Sequence, residues 1–596
     1  LTTALTTSNF DKSPKVVVPG QSCVTGWEAI SQTLADIVKA QKKPKTVVAI
    51  ETYHGVYIDE LRQGITSGLV NTIALETTDA LRSESEIAAL VQEYVTDDPV
   101  FGFVCPLSLR AFFDEDKLTT LQTKLDTAAE ETLVVLGIGA TLVVPEPDIL
   151  IYVDMPRWEI QQRFRANRIA NLGAANYSDP FSYQYKRAFY IDWKVLDRHK
   201  KTLMNRWDYV LDTTHENQPK LVTGAVLAEA LQTAVHRPFR VVPFFDPGPW
   251  GGQWLKEVCD LDRSAVNYAW GFDCVPEENG LVFAFNGGDF EIPAIDLVFT
   301  HPVELLGQKV YEAFGDEFPI RFDFLDTMEG GNLSLQVHPL HQYIREKFGM
   351  AYTQNESYYF LEAKEDAFVY LGLQEGISSD AMLDDLEKAQ QGTVDFDAEK
   401  YVAKWPIKKH DHVLIPAGTV HCSGANTVVL EISATPFNFT FKLWDWGRAG
   451  LDGLPRPISL EHGKNNIQWN RTAQWTSEHL VNHFEKVACG DGWWEERTGL
   501  ETGSFIETRR HWFSKKVVHH TGGVVNVLNL IEGAEAIVES PTGAFEPFVI
   551  HYVETFIVPA AVGTYTIRPY GQSEGREIGT IKAYIRTEQL QSYRFD

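Results

Sequence analysis

The octapeptide Asn332-Leu-Ser-Leu-Gln-Val-His-Pro339 sets Gln336 and His338 two positions apart on a predicted strand, so both side chains leave the same face. If that face is the inside of a β-barrel or sandwich, an amide oxygen and an imidazole nitrogen converge on one point. Eighteen positions further on, Glu356 opens the run ESYYFLEA. His421 closes LIPAGTVH, a Pro-Gly turn that feeds another strand. Gln336, His338, Glu356 and His421 thus form a candidate N/O ligand set for one divalent metal ion. One carboxylate among neutral ligands leaves such a centre a nominal charge of about +1, electrophilic enough to polarise a substrate carbonyl or hydroxyl oxygen. Imidazole ligands favour Zn²⁺, while N/O ligation leaves Fe, Co, Ni and Mn open. Each residue taken singly has an ordinary structural explanation; the combination is what points to a metal.

Around this stretch the texture is that of β-sheet. From about Arg237, Pro and Gly punctuate short strands, beginning with VVPFFDPGPWGGQW. The region 318–373 alternates β-rich runs with turns, a helical stretch at 376–391 interrupts it, and strands resume over 413–444. A sandwich or barrel with a helical insertion is expected over 236–462. A further β-rich block fills 463–596, ending in FEPFVIHYVETFIVPAAVGTYTIRP and IKAYIR. Before about residue 235, β-rich runs at 15–18, 46–50, 72–75, 100–104, 132–136, 149–153 and 209–211 alternate with helical patterns such as 27–40 and 84–94. That alternation predicts an N-terminal α/β parallel-sheet domain over 1–235.

A chain of 596 residues exceeds one compact core, and about 100–200 residues per domain gives three or four units. Its 53 basic against 81 acidic residues leave a net charge of −28, which repels the nucleic-acid backbone and anionic membrane surfaces. A pocket can still oppose that field locally, so an anionic sugar remains admissible. The six cysteines form no CxxC pair, arguing against a disulfide framework or thiolate zinc knuckle and for a reducing, cytoplasmic setting. The opening LTTALTTSNFDKSPK has no basic start followed by an apolar core, and the apolar run 133–144 is too short to span a bilayer, so an unexported soluble protein is expected.

The stretch from about Trp250 to Gly463 resembles type I mannose-6-phosphate isomerases, which are metal-binding cupins. The likeness is carried by PWGGQWL, FPIRFDFLDT, NLSLQVHP, ESYYFLEA, VYLGL, IPAGTVHCSG and LEISATPFNFTFKLWDWGRAGLDGLPRPI. The resemblance implies two all-β cupin-like barrels, the first holding metal on Gln336, His338, Glu356 and His421, and an active-site arginine at Arg448. A permanently charged guanidinium is also what an enediolate needs beside its developing oxyanion. Asp445 and Asp452 flank Arg448 in sequence as alternative, purely structural partners. Ser334 matches a family position that contacts the substrate phosphate, and Lys442 is a cation near the arginine segment. Family members usually carry a Lys two residues before the ligand Glu, where this chain has Gln354; losing that ammonium would forgo about 1–3 kcal/mol of phosphate recognition. Leu340 and His341 also stand where acidic residues usually follow the His-Pro. The proton-transfer group stays open between metal-bound hydroxide, His410 and other site residues. In the second β block IVPAAVGTYTI matches the shape of IPAGTVHCSG, but Thr564 and Tyr565 replace a ligand His, so this barrel is expected to be metal-free.

Residues 1–235 loosely resemble P-loop nucleoside and nucleotide kinases, through DILIYVDMPRWEIQQRFRANR and DYVLDTT. Where their phosphate loop is sought, VVVPGQSCVTGWEAI has Gly20, Gly26, Trp27 and Glu28 but no GxxxxGK[ST]. Without the Lys and the following hydroxyl, no turnover of ATP is expected. Together these features predict a metal-dependent aldose–ketose isomerase for mannose 6-phosphate, fructose 6-phosphate or a related sugar. The alternative is a non-catalytic sugar-binding regulator built from the same domains.

Overall fold

The computed structural model describes residues 8–434, 438–454, 456–500, 503–588 and 590. The chain is multidomain and sheet-rich, and it divides into two compact units. An α/β unit comprises Lys15–Thr233 and Gly280–Thr300; a β-rich unit comprises Leu1–Pro14, Ala234–Asn279 and His301–Asp596.

The α/β unit is built on a seven-stranded sheet in the order Val24–Thr25, Lys220–Thr223, Tyr209–Asp212, Ile149–Asp154, Thr46–Thr52, Thr132–Gly137, Thr72–Glu76. The last five strands run parallel. The central strands TVVAIET, TLVVLG and ILIYVD are buried almost throughout, as unbroken apolar runs covered on both faces must be. Connecting helices start where the sequence places caps. Ser83 accepts from the Glu86 N–H while Glu86 accepts from the Ser83 N–H, a capping box that opens the helix Glu84–Val95.

Two expected strands differ. Residues 100–104 form none: the Phe103 N–H goes to Tyr94 O at 2.7 Å and the Cys105 N–H to Tyr190 O at 2.9 Å, so helix ends satisfy this backbone instead of a ladder. Lys15–Ser22 is a strand but lies outside the main sheet. It pairs in parallel with Gly280–Asn286, which forms a hairpin with Gly288–Pro293 across Gly287 at φ 104°. The span 236–462, expected to be one domain, is therefore interrupted: this hairpin and the helix Ile295–Thr300 belong to the α/β unit. One buried cluster ties them in, because Lys200 Nζ lies 2.8 Å from both Asp154 and Asp296.

The β-rich unit holds two pairs of facing sheets. In the first, six strands run in the order His412–Ile415, Asn355–Ala363, Thr427–Ala434, Arg321–Asp326, Trp270–Cys274, Phe244–Asp246. They face five: Val402–Pro406, Phe368–Leu373, His421–Ser423, Leu335–Val337, Phe441–Trp444. The expected helical insertion is Ser379–Gln390, capped by Ser378, whose hydroxyl accepts from the Ala381 N–H. The second pair has six and four strands, and residues of both sheets, among them Phe513, Leu528, Val538, Ile550, Phe556 and Ile567, fill one apolar core. Tyr565 is buried there with its hydroxyl donating to Asn526 Oδ1 at 3.0 Å. Among the described residues, no helix is long and apolar enough to cross a membrane.

Candidate metal centre

Gln336 and His421 are register partners on adjacent antiparallel strands, and Gln336 is also the partner of Lys442 on the other side. Register partners share a face, so Lys442, Gln336 and His421 form a row, with His338 two residues along from Gln336. Glu356 comes from the facing sheet, where it pairs with Ile415 and Ser433. The two sheets close on one another here. Glu356 Oε2 lies 3.1 Å from His338 Nε2, Glu356 Oε1 lies 2.9 Å from His421 Nε2, and all three side chains have no solvent exposure. Among the described residues this is the one His, Cys, Asp or Glu cluster with metal-ligand spacing. The Gln336 amide is 3.2 Å from His421 Nε2, at the edge of the same spot.

The ring tautomers decide what this cluster can hold. His338 Nδ1 lies 2.8 Å from Phe439 O and His421 Nδ1 lies 2.8 Å from Thr419 O. A carbonyl only accepts, so each Nδ1 carries the proton and each Nε2 presents a lone pair. Two lone pairs aimed at a carboxylate repel one another unless a cation sits between them. Accordingly, neither His338 Nε2 nor Glu356 Oε1 has an aligned hydrogen-bond partner although both are buried. Burial pushes His421 down, keeping its imidazole neutral. The donor set therefore suits a divalent ion.

Gln354, two residues before Glu356, is turned toward the cluster. Its amide donates to Glu356 Oε2 at 2.8 Å and its carbonyl accepts the Phe439 N–H at 3.0 Å, so both ends are committed to the protein. One residue, Phe439, thereby orients both His338, through its carbonyl, and the residue that braces Glu356, through its N–H. Behind Glu356 lie two further carboxyls that the sequence did not single out, Asp323 and its register partner Glu431. Burial pushes Asp323 up to about 7, against the lowering effect of Arg321. Burial, followed by the charges of Asp323 and Glu356, pushes Glu431 well above the carboxylate range. No local pattern signals them, since their closeness to Glu356 depends on the pairing of two distant strands.

Arg448 and Ser334 meet at Asp445. Arg448 donates to Asp445 Oδ1 from Nε at 3.0 Å and Nη2 at 2.7 Å, while Ser334 donates to the same oxygen at 2.9 Å. Arg456, missed in the sequence, donates to Asp445 Oδ2 at 2.6 Å and to Ser334 Oγ at 3.2 Å. Asp445 is thus the fork that holds two guanidiniums at one place, and Asp452 instead accepts the Leu454 N–H. A Cβ at Gly331 would sit 3.2 Å from Arg448 Nη1, so the absent side chain leaves the guanidinium its room. Burial, and then the Arg456 charge, push the Lys442 ammonium down to about 8.

His410 is not part of the cluster. Its Nδ1 lies 3.0 Å from the Tyr359 hydroxyl and its Nε2 lies 3.3 Å from Glu532. Tyr359 is three residues from Glu356 on one strand and so leaves the opposite face. His410 is thereby excluded as the proton-transfer group.

Comparison with known proteins adds four findings. A family model described as a domain of unknown function (DUF8485) matches residues 26–236. The mannose-6-phosphate isomerase ManA of Bacillus subtilis (strain 168) is 24% identical over 242 residues, covering 40% of this chain and 70% of that protein. The mannose-6-phosphate isomerase of Streptococcus mutans serotype c is 27% identical over 233 residues, 39% of this chain and 68% of that protein. The crystal structure of the Bacillus subtilis mannose 6-phosphate isomerase aligns with 58% of this chain and 99% of its own, at 19% identity and a TM-score of 0.47. Over about 40% of its length, then, the chain is similar in sequence to mannose-6-phosphate isomerases.

Proposed function

We propose that the β-rich unit is a metal-dependent aldose–ketose isomerase acting on mannose 6-phosphate and fructose 6-phosphate, or on a related sugar phosphate, through an enediol. In this reading the first pair of sheets is a metal-binding cupin barrel and the second a metal-free one. The observation that carries it is the pair of tautomer-fixed imidazoles aimed at one buried carboxylate. His338, His421, Glu356 and Gln336 hold the ion, with Zn²⁺ favoured by the imidazoles. When bound, the ion supplies Lewis acidity toward the oxygens at C1 and C2 of the sugar.

The chain's own residues do the rest. Gln354 keeps Glu356 oriented by its 2.8 Å bond. Arg448, fixed by Asp445, stabilises the negative charge that develops on the enediolate oxygen, and burial around the cluster keeps water from the intermediate. Arg456 and Lys442 supply positive charge for the phosphate, the role that Gln354 cannot fill, and Ser334, which donates to Asp445 and accepts from Arg456, positions that guanidinium. A reducing cytoplasmic setting accords with six cysteines that form no disulfide.

The test is isomerisation in deuterated water. Protein loaded with Zn²⁺ should convert mannose 6-phosphate to fructose 6-phosphate and wash solvent deuterium into C2; chelation should stop both and metal should restore them. Metal bound at one ion per chain with no conversion and no exchange would leave a binding protein instead.

Lys442 adds a pH signature. An ammonium with its pKa at about 8 is charged below that pH and neutral above it. The substrate phosphate stays dianionic on both sides, its second pKa being about 6. KM for the sugar phosphate is therefore expected to rise about tenfold from about pH 7 to about pH 9, and Lys442→Arg, which does not deprotonate, should flatten that rise. A wild-type KM that is level across the interval removes Lys442 from phosphate recognition.

A further inference from the structure

A cavity of about 600 Å³ lies within the α/β unit at the C-terminal edge of its parallel sheet. Thr52, Glu76 and Gly137, the last residues of three parallel strands, line it. The chain leaves the central strand Thr46–Thr52 toward Thr72–Glu76. It leaves the adjacent strand Thr132–Gly137 in the opposite sense, toward Ile149–Asp154. A crevice opens where neighbouring connections diverge, and in open α/β sheets that is where ligands bind. The volume is that of a small-molecule site.

Its chemistry argues against phosphate. The loop after the central strand, Tyr53-His-Gly-Val-Tyr57, has one glycine and no lysine. The helix it feeds, Ile58–Thr66, already has Asp59 and Glu60 in its first turn, so its positive end faces its own carboxylates. Glu60 accepts from Trp27 Nε1 at 3.0 Å and from the Asn217 N–H at 2.9 Å, neither of them a cation. The one cation on the lining, Arg168, is held by Glu216 at 2.9 and 3.1 Å. Asp59 and Glu76 are paired with Arg62, and Glu216 with Arg168, so on the described lining these charges are matched and no cation is left over to hold an anion.

The same walls offer hydroxyl chemistry. Thr52 and His54 line the cavity at 2% and 3% exposure, and neither Thr52 Oγ1 nor His54 Nδ1 has a hydrogen-bond partner. His54 Nε2 donates to Ala170 O at 2.8 Å, so Nδ1 is a lone-pair acceptor, and burial keeps the ring neutral. A hydroxyl and an imine nitrogen left unpaired beside carboxylates, with the rings of Tyr57 and Tyr177 also on the lining, match a ligand that is uncharged and donates many hydrogen bonds.

We propose that the α/β unit binds an uncharged, polyhydroxylated small molecule in this crevice, a free monosaccharide or the ribose of a nucleoside. The site is independent of the isomerase reading. Full-length protein is titrated calorimetrically with D-mannose, D-fructose, adenosine, mannose 6-phosphate and ATP–Mg²⁺, in wild type, Thr52→Val and Glu76→Gln forms. A saturable signal from a free sugar or from adenosine, weakened at least about tenfold in Thr52→Val, is expected. The responding compound tells a sugar from a nucleoside. Thr52→Val removes an unpaired buried hydroxyl, so its melting temperature should be unchanged or higher and its C2 exchange unaltered, which separates lost binding from lost folding. The proposal is overturned if no neutral polyol binds at about 10 mM, if binding is indifferent to Thr52→Val, or if ATP or mannose 6-phosphate binds more tightly than the neutral compounds in a manner that Thr52→Val weakens.

Discussion

Glu356→Gln is expected to lose the metal ion and at least about a thousandfold of isomerase turnover, with the fold intact. Glu356 is the only anion between two imidazole lone pairs, 3.1 Å from one and 2.9 Å from the other. An amide of the same shape presents a weaker, uncharged donor, and an ion held by neutral ligands alone keeps its full charge inside a buried site. Without metal the variant should be no less stable than the parent, because a fully buried carboxylate has been replaced by a neutral group. Metal content by atomic absorption, C2 exchange and thermal melting of the metal-free forms give the three readouts. Retained metal with retained exchange refutes the proposed centre, whereas lost exchange with metal retained would make Glu356 a catalytic group and not a ligand.

Lys200→Met should destabilise the α/β unit by about 3–5 kcal/mol, lowering its melting temperature by roughly 10 °C. Lys200 is 1% exposed and joins three segments: its own helix, the strand end at Asp154 and the helix bearing Asp296. Burial, and then the charge of Asp154, push Asp296 well above the carboxylate range, with Lys200 opposing that rise. Removing the ammonium leaves a buried charge with no counterion and unfastens the segment Gly280–Thr300 from its unit. The double variant Lys200→Met/Asp154→Asn should recover most of the loss, since a carboxylate that lost its counterion is then removed as well. A single variant within about 1 kcal/mol of wild type would mean that the three groups contribute little beyond their packing.

Local sequence carried much of the candidate site. The Gln-x-His spacing puts two side chains on one face of any strand, whatever the strand's neighbours, and the Pro-Gly turn before His421 starts a strand by backbone constraint alone. The capping box at Ser83 and the apolar runs of the central strands were legible for the same reason, because they report conformation a few residues at a time. Arg456 and Gln354 were misjudged or missed because their roles depend on Asp445 and Glu356 as neighbours, and the Phe439 peptide that orients His338 is 101 residues away in the chain.

Residue order alone determined that a strand through Gln336 runs up to His338 and that Glu356 and His421 lie at the starts of others. Folding alone decided which strands became neighbours. It paired Lys15–Ser22 with Gly280–Asn286 and set His410 behind the sheet. It also turned both imidazoles onto backbone carbonyls, so that their lone pairs meet at Glu356. The physical reason is range: backbone conformation is governed within a few residues, whereas register, tautomer and charge pairing are settled by atoms brought together from distant parts of the chain.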